Sequence, residues 1–172
     1  MPPAAIKIGL PPIVEPAARL LILGTLPGDE SLRKQEYYGH PQNHFWRVIA
    51  DVVGEAQPDG YAARIAMLTR HRLALWDVLA SAERAGSLDA AIRHAKANDI
   101  LELLAQLPSI RTIAFNGQGA EKLFMRHVAR PSGGAPEGIA LLRLPSTSPA
   151  YTKRLADKSA QWRDGLRAAL AE

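Results

Sequence analysis

Four short apolar runs alternate along the chain with longer segments in which apolar positions recur at helical spacing. The apolar runs lie at residues 20–24, 73–78, 110–116 and 139–144. Runs of this length without a polar face are typical of strands buried on both sides of a parallel sheet. The helical patterns cover residues 43–54, 60–72, 98–107, 119–129 and 152–171. The alternation predicts an α/β sandwich built around a mainly parallel, four-stranded sheet.

Local sequence signals support this division. Asn98 is suited to cap the helix over 98–107, and Pro108 stands just beyond its end. The segment 131–136 is rich in glycine and proline and predicts a surface turn. A chain of 172 residues fits one hydrophobic core, so we expect a single domain over residues 1–172.

Composition narrows the possible chemistry. Hydrophobic residues make up 47% and charged residues 22% of the chain, as in ordinary globular proteins. There is no cysteine, which excludes disulfides, thiolate nucleophiles, iron–sulfur clusters and the usual structural zinc sites. The chain shows neither a signal-peptide pattern nor an apolar run long enough to span a membrane, so we expect a cytoplasmic monomer without membrane contact. The net charge of +4 favours an anionic partner only if the basic residues gather at a site.

The segment after the first predicted strand concentrates residue types that bind ligands. Residues 24–31 contain two glycines and a proline, which let the backbone turn sharply beside a ligand. Residues 37–46 read Tyr-Tyr-Gly-His-Pro-Gln-Asn-His-Phe-Trp. Such a density of aromatic and polar groups favours a binding site. The competing interpretation is that Phe45 and Trp46 begin the core face of a helix and that His40 stabilises a turn.

The third and fourth predicted strands also end in polar turns. Residues 115–120 run through Asn116 and Gly117 into a helix, whose first backbone amides suit a phosphate or a base edge. Residues 144–151 place three hydroxyls, at Ser146, Thr147 and Ser148, between prolines, where they can bind phosphate oxygens. An ordinary strand-to-helix turn and a solvated cap of the last helix are the alternatives.

Together these segments resemble the uracil-DNA glycosylase superfamily, and most closely its hypoxanthine-DNA glycosylase branch. The matching motifs have the forms Gly-x-x-Pro-Gly, Asn-x-Phe-Trp and Pro-Ser-x-Ser, at residues 24–28, 43–46 and 145–148. Residues 75–78 and 115–117 match as well, and the whole set keeps the family's order over residues 20–151. The ordered combination is specific, although no single motif is.

The resemblance implies a three-layer αβα fold and a monofunctional, metal-free DNA glycosylase that hydrolyses the bond between a deaminated base and its sugar. The nucleotide would be rotated out of the duplex, because the enzyme cannot reach a stacked base. Phe45 would stack beneath the base, and Asn43 would be the catalytic asparagine. Asn43 could orient the water or donate to the base through its amide. The chain departs from the family's motifs at two positions. Leu26 occupies the position of a catalytic Asp, Asn or Glu, and Leu144 replaces a histidine that donates to the leaving base.

The remaining candidates follow from the chemistry that bond cleavage requires. Negative charge grows on the base and positive charge on the sugar, so donors near the base and a held water are needed. We predict that Asp77 accepts from the base or positions water, and that Asn116 reads the base edge. The backbone amides after Leu26 and around Gly28 would supply the remaining polarity, and Tyr38 would either wall the pocket or merely pack. The predicted contacts with DNA are His40, Ser146, Thr147, Ser148, Lys153 and Arg154.

No cofactor and no metal are expected. His40 and His44 are four residues apart without an identified carboxylate partner, and no lysine is placed in the motifs for a lyase step. A nucleotide-binding module is disfavoured because its glycine-rich phosphate loops are missing. A catalytically weak or inactive binder of damaged or abasic DNA remains open. Tyr151 and the 130–138 loop are candidates to fill the space that a rotated base leaves.

Overall fold

The computed structural model describes residues 5–171. Its strands are β1 (Ile6–Ile8), β2 (Leu20–Gly24), β3 (Leu73–Asp77), β4 (Leu79–Arg84), β5 (Ile92–Ala97), β6 (Thr112–Asn116) and β7 (Ala140–Leu144). Its α-helices are α1 (Asp29–Lys34), α2 (Phe45–Val53), α3 (Tyr61–Arg70), α4 (Ile100–Gln106), α5 (Gln118–Phe124) and α6 (Leu155–Leu170). The four predicted strands form one parallel sheet in the order β3-β2-β6-β7.

The central strand β2 shows why the sheet lies in the middle of three layers. All five of its residues are buried, and successive side chains enter opposite cores. Leu20 and Ile22 pack with α2, α3 and α6, whereas Leu21 and Leu23 pack with α4 and α5. The predicted αβα sandwich is confirmed.

Strand register brings four residues to one edge of this sheet. Gly24 pairs with Asp77, and Asn116 pairs with Leu144. Because all four strands are parallel, their carboxyl ends meet at the same edge, which is where open α/β sheets bind ligands. The segments that follow the strands therefore converge.

A second, antiparallel sheet was not predicted. Its strand order is β1-β4-β5, and β4 begins only two residues after β3 ends. The backbone nitrogens of Val78 and Leu79 donate to the carbonyls of Gly24 and Thr25, at 2.9 and 3.1 Å, and tie β4 to the end of β2. Strands β4 and β5 mix alanine with charged side chains, so they show no apolar run and no regular alternation.

Two predicted helix boundaries were wrong in detail. Asp99, not Asn98, caps α4 by accepting from the backbone nitrogen of Glu102 at 3.1 Å. The Asn98 amide instead donates to the backbone carbonyl of Asp77 at 2.8 Å. The helix expected over 119–129 ends as α-helix at Phe124 and continues as one wider π-helical stretch to Ala129.

Candidate active site

A cavity of about 340 Å³ opens at the carboxyl edge of the parallel sheet. This volume falls in the range of small-molecule sites. Its walls are the segments that follow β2, β3, β6 and β7, together with the turn between β4 and β5. The described lining residues are Gly24, Thr25, Leu26, Pro27, Ser31, Tyr37, Tyr38, Asn43, Asp77, Ser87, Leu88, Asp89, Asn116, Ser146, Thr147, Ser148, Ala150 and Tyr151.

Tyr38 supplies the aromatic wall of the cavity. Its ring stacks on Phe45 with centroids 4.1 Å apart, and Phe45 itself is fully buried between Tyr38, Trp46 and Trp162. Tyr38 has a φ of 53°, a left-handed conformation that a side chain rarely adopts, and this backbone turn places the ring over Phe45. Phe45, the ring predicted to stack on the base, is not among the residues that line the cavity and packs against Tyr38 instead.

Asn43 lies on the cavity wall with its side-chain oxygen already engaged. Asn43 Oδ1 accepts a hydrogen bond of 2.9 Å from the backbone nitrogen of Phe45, the first residue of α2. The atom that accepts from this N–H must be the oxygen, which orients the amide group. The Asn43 amide nitrogen makes no hydrogen bond within residues 5–171 and is available as a donor.

Asp77 and Tyr38 hold two unpaired polar atoms inside the same cavity. Asp77 Oδ2 and the Tyr38 hydroxyl are buried and have no hydrogen-bond partner among the described residues. Burial, and then the negative charge of Asp89, raise the pKa of Asp77 to about 7, although Arg84 opposes the change. Burial, and then the charge of Asp77, raise the pKa of Tyr38 above its usual range, although the neighbouring Asn116 side chain opposes the change. Since buried polar groups are normally paired, these two atoms mark a place for a polar ligand.

Gly24 has no side chain, and this leaves the space that the Asp77 carboxyl group and the Tyr38 hydroxyl occupy. A Cβ at Gly24 would overlap Asp77 Oδ1 and lie 2.7 Å from the Tyr38 hydroxyl. We expect Gly24→Ala to lower the free energy of unfolding by about 1–3 kcal/mol, the usual cost of overpacking a filled site. Urea denaturation measures this loss.

Gly60→Ala is the matched control for this substitution. No atom lies within 4 Å of a Cβ at Gly60, and the φ of Gly60 is −92°, which alanine adopts freely. A Gly24→Ala protein as stable as Gly60→Ala would contradict the tight packing of the cavity floor.

Asn116 fixes the loop that follows β7. Its Nδ2 donates to Thr147 Oγ1, and its Oδ1 accepts from the Thr147 nitrogen, both at 2.9 Å. The Thr147 carbonyl accepts from the His44 nitrogen at 3.0 Å, which links this loop to the segment before α2. Asn116, which was predicted to recognise the edge of the base, therefore uses one donor and one acceptor position within the protein. Part of its role is to hold the loop after β7 in place.

The hydroxyls of the neighbouring serines are used in the same loop. Ser146 Oγ accepts from the Ser148 nitrogen at 3.1 Å, and Ser148 Oγ accepts from the Ala150 nitrogen at 3.2 Å. Both serines line the cavity, and Thr147 is fully buried there. Their hydroxyl hydrogens remain available to an acceptor.

Three predicted DNA contacts lie outside the cavity. His40 is exposed, and its Nδ1 accepts from the Gln42 nitrogen at 3.1 Å, as in the turn-stabilising alternative. Lys153 lies in a neighbouring groove with His44 and Arg47. Arg154 is exposed at the start of α6 and pairs with Asp157 at 3.9 Å. Leu26 is buried and lines the cavity.

The turn between β4 and β5 was missed by sequence reasoning, although it forms one wall. The Arg84 side chain is almost fully buried and donates to the carbonyls of Leu26, at 3.3 Å, and Pro27. Thr25 Oγ1 donates to Asp89 Oδ1 at 2.8 Å. Gly86 and Ser87 could have predicted a hairpin turn, but nothing linear distinguishes Arg84 from its neighbours.

Lys158 was also missed. It is fully buried, and burial lowers its pKa below the usual range. Its Nζ lies 3.4 Å from His44 Nδ1, donates to the Ser148 carbonyl at 3.3 Å, and stands 5.4 Å from the Tyr151 ring centroid. Lys158 thus supports the rim of the cavity under Tyr151, whose side chain is 44% exposed.

Within residues 5–171, no group of three or more histidine, aspartate and glutamate side chains is placed to hold a metal ion. None of the helices over the same residues is both long and apolar enough to cross a membrane.

Known proteins resemble the chain in sequence and in fold. The family model described as the uracil DNA glycosylase superfamily matches residues 11–170. A hypoxanthine DNA glycosylase of Methanosarcina acetivorans is 42% identical over 116 residues, which are 67% of this chain and 73% of that protein. One from Methanosarcina barkeri is 40% identical over 113 residues, 65% of this chain and 72% of that protein. The solution NMR structure of a candidate uracil DNA glycosylase from M. acetivorans aligns with a TM-score of 0.76 and 35% identity, over 98% of this chain and 100% of that one.

Proposed function

Since the chain belongs to the uracil DNA glycosylase superfamily, we propose that its cavity holds one deaminated base, hypoxanthine in preference to uracil, rotated out of a DNA strand. The protein is a hydrolase of N-glycosyl bonds, and its substrate is DNA that carries a deaminated base. The observation that carries the proposal is the cavity itself, in which Tyr38, Asn43 and Asp77 meet at the strand ends. The relatives named as hypoxanthine DNA glycosylases support the choice of base.

The protonated form of Asp77 suits this kind of base. A carboxylic acid offers one donor and one acceptor side by side. Hypoxanthine and uracil each present an N–H next to a C=O, so they can form two hydrogen bonds with such an acid. As the glycosidic bond breaks, negative charge grows on that oxygen, where a neutral acid stabilises it and an ionised carboxylate would repel it. Adenine and cytosine carry an amine in place of that oxygen.

Other residues of the cavity and its rim supply the remaining contacts with the base and the DNA. The free face of Tyr38 stacks on the base, while Phe45 holds Tyr38 from behind. The amide nitrogen of Asn43 donates to a second acceptor atom of the leaving base. The hydroxyls of Ser146 and Ser148 bind the DNA backbone beside the rotated nucleotide. Tyr151, exposed at the rim, fills the space that the base leaves in the duplex.

A catalytically inactive binder of damaged DNA is the second candidate, because Leu26 places no polar group where the family's first motif carries one. The two candidates differ in their product. A glycosylase releases a free base and leaves an abasic site, whereas a binder only shifts the mobility of the DNA.

The test uses matched duplexes that carry one hypoxanthine, one uracil or only normal bases, with EDTA in every reaction. We expect free hypoxanthine and an alkali-sensitive abasic site, slower release of uracil, and no release from the normal duplex. Because the proposed chemistry uses only side chains, EDTA is expected to leave the rates unchanged. Retarded DNA without any released base would favour the inactive binder and overturn the proposal.

A further inference from the structure

A carboxylate that holds the attacking water and takes its proton would speed hydrolysis, and the residues considered so far do not provide one. Asn43 Oδ1 is engaged by the Phe45 nitrogen, and Asp77 is buried, with its pKa raised by that burial to about 7. No histidine or lysine lines the cavity among the described residues. The two carboxyl groups on its described wall are Asp77 and Asp89, so Asp89 is the one left to act on water.

The structure holds Asp89 at the cavity wall with one oxygen fixed and the other available. Asp89 Oδ1 accepts from Thr25 Oγ1 at 2.8 Å and lies 3.9 Å from the Arg84 guanidinium. Asp89 Oδ2 accepts no hydrogen bond within residues 5–171, and the side chain is 50% exposed. Thr25 directly precedes Leu26, so the anchored carboxylate stands beside the first motif.

The first turn of α5 closes against the same side chain. Asp89 Oδ2 lies only 3.0 Å from the point where a Cβ on Gly119 would stand. A larger residue at position 119 would therefore push the carboxylate away. Thr25, Arg84 and Gly119 come from three different segments, and together they give Asp89 one defined place.

We propose that Asp89 is a catalytic residue of this enzyme, and that it holds the attacking water and takes a proton from it. The inference rests on the glycosylase function proposed above. The water oxygen bonds to the anomeric carbon of the sugar, and the bond from that carbon to the base nitrogen breaks with its electron pair going to the base. One proton passes from the water to Asp89. The released base takes up a proton from solvent, and Asp89 returns its own to solvent.

The charges around Asp77 and Asp89 agree with a role for Asp77 at the base and a role for Asp89 at the water. Asp89 faces Thr25 and Arg84, and its charge acts on Asp77 and Tyr38. Two carboxyl groups with different environments commonly serve as acid and base in one site. Here Asp77 is buried beside the base, whereas Asp89 is half exposed and lies near the Arg84 guanidinium.

The test compares Asp89→Asn, Asp89→Ala and the control Asp59→Asn, which removes the same charge from an exposed site outside the cavity. Because the charge of Asp89 helps to raise the pKa of Asp77, single-turnover base release is measured from about pH 5 to pH 7, and each variant is compared at the pH where its own rate is highest. General bases contribute about 10²- to 10⁴-fold, so we expect both Asp89 variants to be slowed at least about 100-fold. Their affinity for the lesion duplex should not weaken, because a negative charge has been removed. Asp59→Asn should keep the wild-type rate.

Chemical rescue separates a catalytic Asp89 from a structural one. Asparagine at position 89 still accepts from Thr25, so the fold is retained, whereas alanine leaves space for a small anion. We expect added formate to restore much of the rate of Asp89→Ala and to leave Asp59→Asn unchanged. A wild-type rate in Asp89→Asn, or a rate loss that formate does not restore and that parallels weaker binding, would overturn the proposal. Absence of base release by the wild-type protein would instead contradict the proposed function itself.

Discussion

Asn43→Ala is expected to slow base release by about 10²- to 10³-fold, the usual effect of removing one aligned donor from a site where negative charge develops. The physical reason is that the Phe45 N–H fixes the Asn43 oxygen and thereby leaves the amide nitrogen to the cavity. Single-turnover release of hypoxanthine measures the loss. Binding of the lesion duplex should change much less, since the donor acts mainly as charge builds up on the base.

Asn43→Asp separates this donor role from the alternative in which Asn43 holds water through its oxygen. The aspartate keeps an acceptor for the Phe45 N–H, so its stability should match the wild type, whereas Asn43→Ala loses about 0.5–1.5 kcal/mol with that hydrogen bond. If donation matters, Asn43→Asp is as slow as Asn43→Ala or slower. An Asn43→Asp enzyme as fast as the wild type would show that an acceptor suffices and would exclude the donor role.

Base release by the wild-type protein is expected to fall about tenfold for each pH unit above about 7, because Asp77 then loses the proton with which it donates to the base. Asp77 faces Asp89, Arg84 and the Tyr38 hydroxyl, and its pKa of about 7 already includes the opposing charges of Asp89 and Arg84. Asp77→Asn keeps a donor and an acceptor at every pH. Its rate should therefore stay nearly constant between about pH 6 and pH 8.5 on the same duplex.

Asp77→Ala and protein stability provide the controls for this pH dependence. Alanine removes the donor, so release should be slowed about 100-fold at all pH values. The pKa of Asp77 is higher in the folded chain than its ordinary value of 3.8, so the wild type loses folding stability as the pH rises from 3.8 to about 7. Asp77→Asn should lack that loss in thermal unfolding. A wild-type rate that rises through pH 7 would mean that the ionised carboxylate is the active form.

The sequence predicted the parallel sheet and the place of the site because both depend on local patterns. The short apolar run of β2, which ends at a glycine, is typical of a strand buried on both faces, and all five of its residues are buried. The motifs after it identified the family, and the family match confirms that prediction. Asn43, Asp77 and Asn116 were found in the same way, since each follows a buried strand or opens a helix, and their roles remain predictions.

What the sequence did not predict depends on contacts between distant segments. Phe45 and Tyr38 are equally aromatic, and only the turn at Tyr38 shows which ring faces the cavity and which supports it. Arg84 and Asp89 lie in a stretch without a regular pattern. Their importance comes from contacts with Leu26 and Thr25, about sixty positions earlier in the chain.

The wall formed by β4, β5 and the turn between them has a consequence for how such enzymes diversify. This wall is one continuous segment, residues 79–97, and it belongs to a separate sheet that joins the strand ends through a few backbone hydrogen bonds. Mutations in it can reshape the cavity without disturbing the parallel strands that carry Gly24, Asp77 and Asn116. A library that keeps Arg84 and Asp89 and varies the other positions of this segment can therefore alter which damaged base is accepted, while the groups that cleave the bond stay unchanged.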